Sequence, residues 1–235
     1  MATFVLVHGA MHGGWCWRDV RRRLAAAGHA VFTPTLTGQG DRRAAAAPEV
    51  GVTTHVDDVA ELFWFEDLHD VQLVLHSYAG ILAGPLAERV GDRLAGIVYL
   101  GAFVTADGEC LLDVEPTEVA DRYRSLVGDG WRVPADPSFL AQWGLTDPAL
   151  VDWVAARLTD FPARCQTEPT VFDEPRRAAL RQTYVRHTAP PMASLDRSYE
   201  RAVAAGWDCH DVATGHDMML EAPDALADLL VRIAG

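Results

Sequence analysis

The sequence predicts an α/β architecture, a mostly parallel sheet with helices on both faces. Three observations predict it. Short apolar runs rich in β-branched residues alternate with helix-periodic segments, the runs fit strands buried on both sides, and one long stretch of different rhythm interrupts the series. "TFVLVHG" (3–9) is the first run, and its closing glycine ends a buried strand. "GWCWRDVRRRLAAAGH" (14–29) has helical spacing and stops at Gly28, and "AVFTP" (30–34) gives a second short strand. A small polar loop, "TLTGQGDRRAAAAPEVG", leads to a helix at "TTHVDDVAELFWFEDL" (53–68), with Thr53 or Thr54 as its cap. "VQLVLHS" (71–77) is a strand and "YAGILAGPLAERV" (78–90) a helix that Pro85 bends or interrupts. "LAGIVYLGAF" (94–103) is again a strand.

From about 104 to 180 the pattern changes to acidic and proline-rich turns, helical pieces such as 147–159, and three tryptophans, Trp131, Trp143 and Trp153. This stretch is expected to be a helical lid inserted between two strands of a single domain spanning 1–235. The alternation resumes with "QTYVRHT" (182–188), a helix over 192–205, "WDCHDVA" (207–213) and a terminal helix in "APDALADLLVRIAG".

Composition narrows the function. The net charge of −13 repels phosphate backbones and anionic lipid, so neither a nucleic acid nor a membrane is the expected partner. No apolar run approaches the roughly 20 residues of a membrane span, and "MATFVLVHG" enters a strand at once with no signal-peptide pattern, which points to the cytoplasm. Cys16, Cys110, Cys165 and Cys209 are widely separated, which suits reduced thiols better than a disulfide framework or a zinc site. All 20 cationic residues are arginine. The missing lysine excludes a Walker A loop, a Schiff-base site and the Tyr-x-x-x-Lys pair of short-chain dehydrogenases.

Three features stand in the order that nucleophilic acyl chemistry requires. "HGAMHGGW" (8–15) follows the first strand, Ser77 sits at a strand-to-helix turn, and "TGHDMML" (214–220) places His216 before the last helix. Ser77 would attack a carbonyl and His216 would carry its proton to the leaving group. The backbone N–H groups of Ala10 and Tyr78 would hold the oxyanion. His12, near the first loop, suits a substrate contact or a loop brace equally well. Metal binding by His8 and His12 has little support, because a loop need not hold helical i, i+4 spacing. The glycines of the first loop do not spell the dinucleotide fingerprint.

Over nearly its whole length the chain resembles the α/β-hydrolase branch that holds plant methylesterases, hydroxynitrile lyases and their bacterial relatives. "FVLVHGAMHGGWCW", "THVDDVAELFWFEDLHDVQLVLHSYAG", "IVYLGAFVTADGE" and "ATGHDMMLEAPDALADLL" carry the resemblance. It implies ester or lactone hydrolysis with no metal or cofactor. By motif position it carries over Ser77 as nucleophile, His216 as base, and Ala10 with Tyr78 as the oxyanion hole.

The chain departs from that pattern in three places. Leu75 stands where the family has glycine, which predicts either a slightly widened elbow filled by the leucine or a redirected Ser77 over a remodelled pocket floor. The triad acid has no carboxylate in either usual slot. The loop after "YVRH" offers Ala189, Pro190 and Pro191, and "YLGAF" places Gly101 where bacterial relatives have aspartate. Asp196 is a weak candidate, Asp107 and Glu109 are remote from their slot, and Asp217 adjoins His216 without an easy route back to its ring. Asp217 also replaces the lysine that steadies cyanide in the cyanogenic relatives, which argues against hydroxynitrile lyase activity.

The expected function is therefore a cofactor-free serine hydrolase of a small hydrophobic ester or lactone, aromatic or polyketide-like. Trp131, Trp143 and Trp153, with Phe139 and Phe161, are candidate pocket walls, although packing of the lid on the core explains any one of them as well. Two other readings stay open. One is lyase, cyclase or isomerase chemistry with His216 as base, and the other is a hydrolase-fold ligand binder without turnover. Whether the chain forms a homodimer is also open.

Overall fold

The computed structural model describes all residues, 1–235. Six parallel strands form one sheet: β1 (Thr3–Val7), β2 (Ala30–Phe32), β3 (Val71–His76), β4 (Leu94–Leu100), β7 (Gln182–His187) and β8 (Asp208–Val212), in the order β2-β1-β3-β4-β7-β8. Side chains along each strand alternate between two apolar layers. Phe4, Leu6 and Val74 pack with α1 (Arg18–Ala26) and the terminal helix α12 (Pro223–Ala234) on one face. Val5, Val7, Leu73 and Leu75 pack with α2 (Val52–Phe65) and α3 (Ala83–Val90) on the other. Strands buried on both faces explain the nearly continuous apolar runs.

The stretch between β4 and β7 holds α4 (Leu111–Val114), α5 (Thr117–Val127), α6 (Ser138–Gln142), α7 (Pro148–Ala155), α8 (Arg164–Thr167) and α9 (Glu174–Ala178). Two short antiparallel strands, β5 (Arg132–Val133) and β6 (Phe161–Pro162), pin its middle. Its Leu111, Val114, Val133, Phe139, Phe161 and Cys165 belong to the same apolar cluster as Leu75 and α2. Asp147 caps α7 by accepting the Leu150 N–H at 2.9 Å, with Pro148 in the first turn. The remaining helices are α10 (Asp196–Ala204) and α11 (Met218–Glu221). No helix is long and apolar enough to cross a membrane.

Three local expectations shift. The first predicted helix opens with a 3₁₀ turn (Gly14–Trp17), and the third with another (Ser77–Leu82). Pro85 lies in the first turn of α3, where its missing N–H removes no hydrogen bond, so the change of helix type falls before it. Gly51 rather than a threonine is the N-cap of α2. Thr54 accepts the Gly51 N–H, and Thr53 donates to Glu168 at 2.6 Å. All four cysteines are free, and Cys16, Cys110 and Cys165 are buried.

The carboxyl ends of the strands converge on one edge. Gly9 and Ala10 follow β1, Ser77 follows β3, Gly101 follows β4, His187 ends β7, and His216 lies beyond β8. The chain turns to opposite sides of the sheet after β1 and β3, and a crevice at such a switch point is where open α/β sheets hold ligands.

Candidate active site

Ser77 takes φ of 54°, the left-handed region that a non-glycine residue occupies only when its surroundings enforce it. Its carbonyl accepts the Phe103 N–H at 3.1 Å, which ties the turn to the end of β4. The crowding around it comes from the β1 loop. A Cβ on Gly9 would lie 2.8 Å from Ser77 Cβ, so this position needs glycine. Leu75 does not crowd the turn. It is fully buried in the apolar layer, paired with Val7 and Tyr99 in the sheet, and does not line the pocket. The redirected serine is corrected accordingly, because Ser77 Oγ lies 2.9 Å from His216 Nε2.

His216 is held by its backbone from two directions. Its N–H donates to the Trp143 carbonyl at 2.7 Å, and its carbonyl accepts from His76 Nε2 at 3.1 Å. With the ring proton on Nδ1, His216 Nε2 accepts the Ser77 hydroxyl proton. Burial is the largest influence on this ring and, with His76 and His187 beside it, holds its pKa well below the ordinary histidine value, while Asp217 pulls the other way. His216 is thus neutral and ready to accept a proton at ordinary pH.

Ala10 and Tyr78 both line the pocket beside Ser77. The Ala10 N–H joins no other hydrogen bond, and that of Tyr78 lies in the first helical turn, where N–H groups lack helical partners. The Tyr78 hydroxyl is occupied elsewhere, donating to His55 Nδ1 at 2.9 Å, while His55 Nε2 donates to the Thr37 carbonyl. His8 braces the β1 loop, donating from Nδ1 to the Gly9 carbonyl and accepting the Leu36 N–H at Nε2. Its burial pushes its pKa down to about 3.

No carboxylate bonds to His216 Nδ1, which is buried without a partner. Asp196 is exposed at the start of α10, which corrects its candidacy. Glu109 is bound by Arg197 and Arg201, and Asp107 accepts the Phe172 N–H. Asp217 turns away from the neighbouring ring, as its position suggested, yet it is wholly buried inside the site. Its oxygens face His12 Nε2 at 3.5 Å and His76 Nε2 at 3.9 Å. Burial opposes its charge, but these histidines outweigh it and hold the carboxyl far below the usual carboxylate range. The reciprocal effect acts on His12. Burial would lower it, and the Asp217 charge together with the Ala10 carbonyl raises it overall. Sequence reasoning missed this buried charge because only the fold brings His12 and His76 onto it.

The pocket over Ser77 is a cavity of about 60 Å³. Met11, His12, Phe103, Leu111, Tyr123, Trp143, Phe161 and Met192 supply much of its wall, and Glu115, Gln166 and Ser194 bring polar groups. Of the predicted aromatics, Trp143 and Phe161 line it, and Phe139 stacks behind Trp143 at 5.8 Å. Trp143 also lies over His12 and His216, with ring centroids 5.5 and 6.2 Å away. Trp131 and Trp153 are corrections. Trp131 stacks on the Arg132 guanidinium, and Trp153 packs on Trp15 between Arg18 and Arg157, beside a separate surface groove. A count of tryptophans does not reveal which side of a short helix faces the site. Glu115, unremarked in the sequence, is largely buried with Oε2 unpartnered, and burial pushes its pKa up to about 7.

Residues 4–229 match the model of the alpha/beta hydrolase family. The chain is 32% identical over 246 residues to the carbendazim hydrolyzing esterase of Nocardioides sp. (strain SG-4G), covering 99% of this chain and 100% of that protein. It is 26% identical to Esterase PIR7B of Oryza sativa subsp. japonica, covering 98% and 95%. Among solved structures it superposes on an extracellular alpha/beta-hydrolase from a Paenibacillus species with a TM-score of 0.87 at 21% identity, covering 99% and 98%. Tomato methylketone synthase I gives a TM-score of 0.80 at 19% identity, covering 99% and 97%. The sheet order, the strained serine turn and the full-length match agree, and the chain belongs to the alpha/beta hydrolase family.

Proposed function

We propose that the protein hydrolyses a small carboxylic ester through a covalent acyl-enzyme on Ser77. The observation that carries this reading is the 2.9 Å contact between Ser77 Oγ and His216 Nε2 at a serine held at φ of 54°. Ser77 Oγ bonds to the ester carbonyl carbon as its proton passes to His216 Nε2. The carbonyl electron pair moves to oxygen, where the N–H groups of Ala10 and Tyr78 receive it. His216 returns the proton to the leaving alkoxide as the C–O bond breaks, and water reverses the sequence to release the acid. Asp217 contributes a fixed negative charge close to the imidazolium while it exists.

The pocket wall supports the substrate class. Its aromatic and aliphatic side suits an apolar group, and Glu115, Gln166 and Ser194 suit a second oxygen or nitrogen function on the ester. Tyr123, Trp143 and Phe161 of the insertion wall this pocket and would contact the apolar group.

A serine-directed fluorophosphonate tests this reading. The wild type is expected to label, and Ser77→Ala is expected to lose both labelling and turnover of p-nitrophenyl butyrate. Turnover that survives in Ser77→Ala but disappears in His216→Ala would overturn covalent catalysis. Base chemistry by His216 alone would then be favoured, a reading that its carboxylate-free Nδ1 also motivates.

A further inference from the structure

The imidazole of His187 packs against the Nδ1 side of His216, which no carboxylate occupies. His187 is the last residue of β7 and is 2% exposed, and neither of its ring nitrogens has a partner. Its ring meets that of His216 edge to face, with centroids 5.0 Å apart and planes at 67°. Between them lies Gly101, at φ of 49°. A Cβ placed on Gly101 would be 3.0 Å from His187 Nδ1, 3.5 Å from His216 Nδ1 and 3.4 Å from Met218 Cε. The two Nδ1 atoms thus border one small space, and His187 crowds the path that a side chain from position 101 would take. Glycine at 101 and histidine at 187 are one arrangement.

The other groups near His216 do not compete for its Nδ1. His76 spends Nε2 on the His216 carbonyl, and its Nδ1 faces Gly9, where a Cβ would be 3.0 Å away. Asp217 faces His12 and His76.

Resting on the esterase reading above, we propose that His187 is a positioning residue: a turn of its neutral imidazole in the space beside Gly101 lets it accept the Nδ1–H of His216, a bond the resting arrangement does not make, and completes a Ser77–His216–His187 triad in place of a carboxylate. Burial is the main cause that pushes His187 down to about 4, with Arg186 also lowering it and Asp217 opposing, so the ring keeps a free lone pair at neutral pH. The Nδ1 proton stays on His216 throughout. Only the serine proton moves, onto Nε2 and then to the leaving group, and His187 fixes the tautomer and shares the charge of the imidazolium. A neutral acceptor stabilises that cation less than a carboxylate does, in keeping with the low pKa of His216.

The test compares His187→Leu, His187→Asn and the double variant His187→Ala/Gly101→Asp with the wild type, each checked for an unchanged melting transition. His187→Leu is expected to lower kcat for p-nitrophenyl butyrate about a hundredfold with KM within about twofold, since orienting a general base is worth this order. Asparagine retains a carbonyl acceptor and is expected to restore at least about tenfold of that loss. Aspartate tolerates positive φ, and in the double variant it is expected to restore kcat and move the acidic limb of kcat/KM to higher pH. A second readout does not depend on turnover. The low-field ring N–H resonance of His216, assigned by its loss in His216→Ala, is expected to vanish in His187→Leu and persist in His187→Asn. A folded His187→Leu with wild-type kcat and an unchanged resonance overturns the proposal, as does equal loss of both in Leu and Asn. If the wild type carries the resonance but Ser77→Ala still turns over, the serine mechanism fails while the His187 contact stands.

Discussion

Glu115 shows how a single residue sets chemistry that the motifs leave open. Its carboxyl lines the cavity with one oxygen unpartnered, and burial brings its pKa to about 7. Below that pH it is a neutral acid that donates a hydrogen bond, and above it the carboxylate repels acceptor oxygens. For an ester with a second carbonyl or ether oxygen, kcat/KM is expected to fall as pH rises through about 7. Glu115→Gln keeps a donor at every pH and is expected to remove that fall. Glu115→Leu is expected to lower the preference for such an ester over p-nitrophenyl butyrate by about tenfold, the worth of one hydrogen bond. An identical descending limb in wild type and Glu115→Gln would assign the titration to another group. Ser77, His216, Ala10 and Tyr78 could be read from the sequence because each is tied to the end of an element whose chain order is diagnostic. Glu115, His187 and Asp217 could not, because they meet the site only through tertiary packing that no local spacing encodes. Trp153 misled for the same reason, since its helix turns it toward Trp15.

At the scale of elements, the serine turn shows where close packing demands a small residue. Leu75 looked wrong in the sequence, yet it belongs to β3 and fills the layer against α2 and α3. The tight approach is made by the loop after β1, where Gly9 faces Ser77. Leu75→Gly, which restores the family residue, is expected to cost about 3–5 kcal/mol of stability, from the cavity and the added backbone freedom. It should not raise kcat. Gly9→Ala is expected to lower kcat by at least about tenfold with a smaller stability loss, because its Cβ must displace the serine or the loop that carries Ala10. Urea denaturation and steady-state kinetics separate the two. A gain in kcat for Leu75→Gly would return the crowding to β3. The strands and principal helices were legible because burial on both faces writes apolar runs into the sequence, and Pro85 shows the limit. Its presence was plain, but its place in a first turn depended on where the 3₁₀ segment ends.

The whole molecule buries an unusual set of neutral histidines, and this fixes how its stability responds to acid. Burial is the largest cause in each case. It pushes His8 to about 3, and His55, His76 and His187 to about 4, from an ordinary value of 6.5. In the unfolded chain these rings regain ordinary values, so between about 6.5 and 4 the unfolded state binds more protons than the folded one. Stability is then fully present above about 6.5 and is lost as pH falls toward 4. Each group contributes at most about 1.4 kcal/mol per pH unit. His216, also held well below its ordinary value, adds to these four. Among the buried histidines only His12, which Asp217 raises, gains stability as pH falls and so opposes them. Set against a total of about 5–15 kcal/mol, the balance places acid unfolding above the range in which carboxylates titrate. Asp217 acts in the same direction at lower pH, because its folded value is depressed and its contribution fades only as the unfolded carboxyl range is reached. Thermal melts followed by circular dichroism are expected to show a level Tm from pH 8 to 7 and a steep fall from 6.5 to 5. His55→Gln removes one titrating ring outside the Ser77 cavity and is expected to make that fall shallower. A Tm that stays level down to pH 5 would mean that the folded protein takes up these protons without opening, and that burial holds the rings neutral far less strongly than the structure requires.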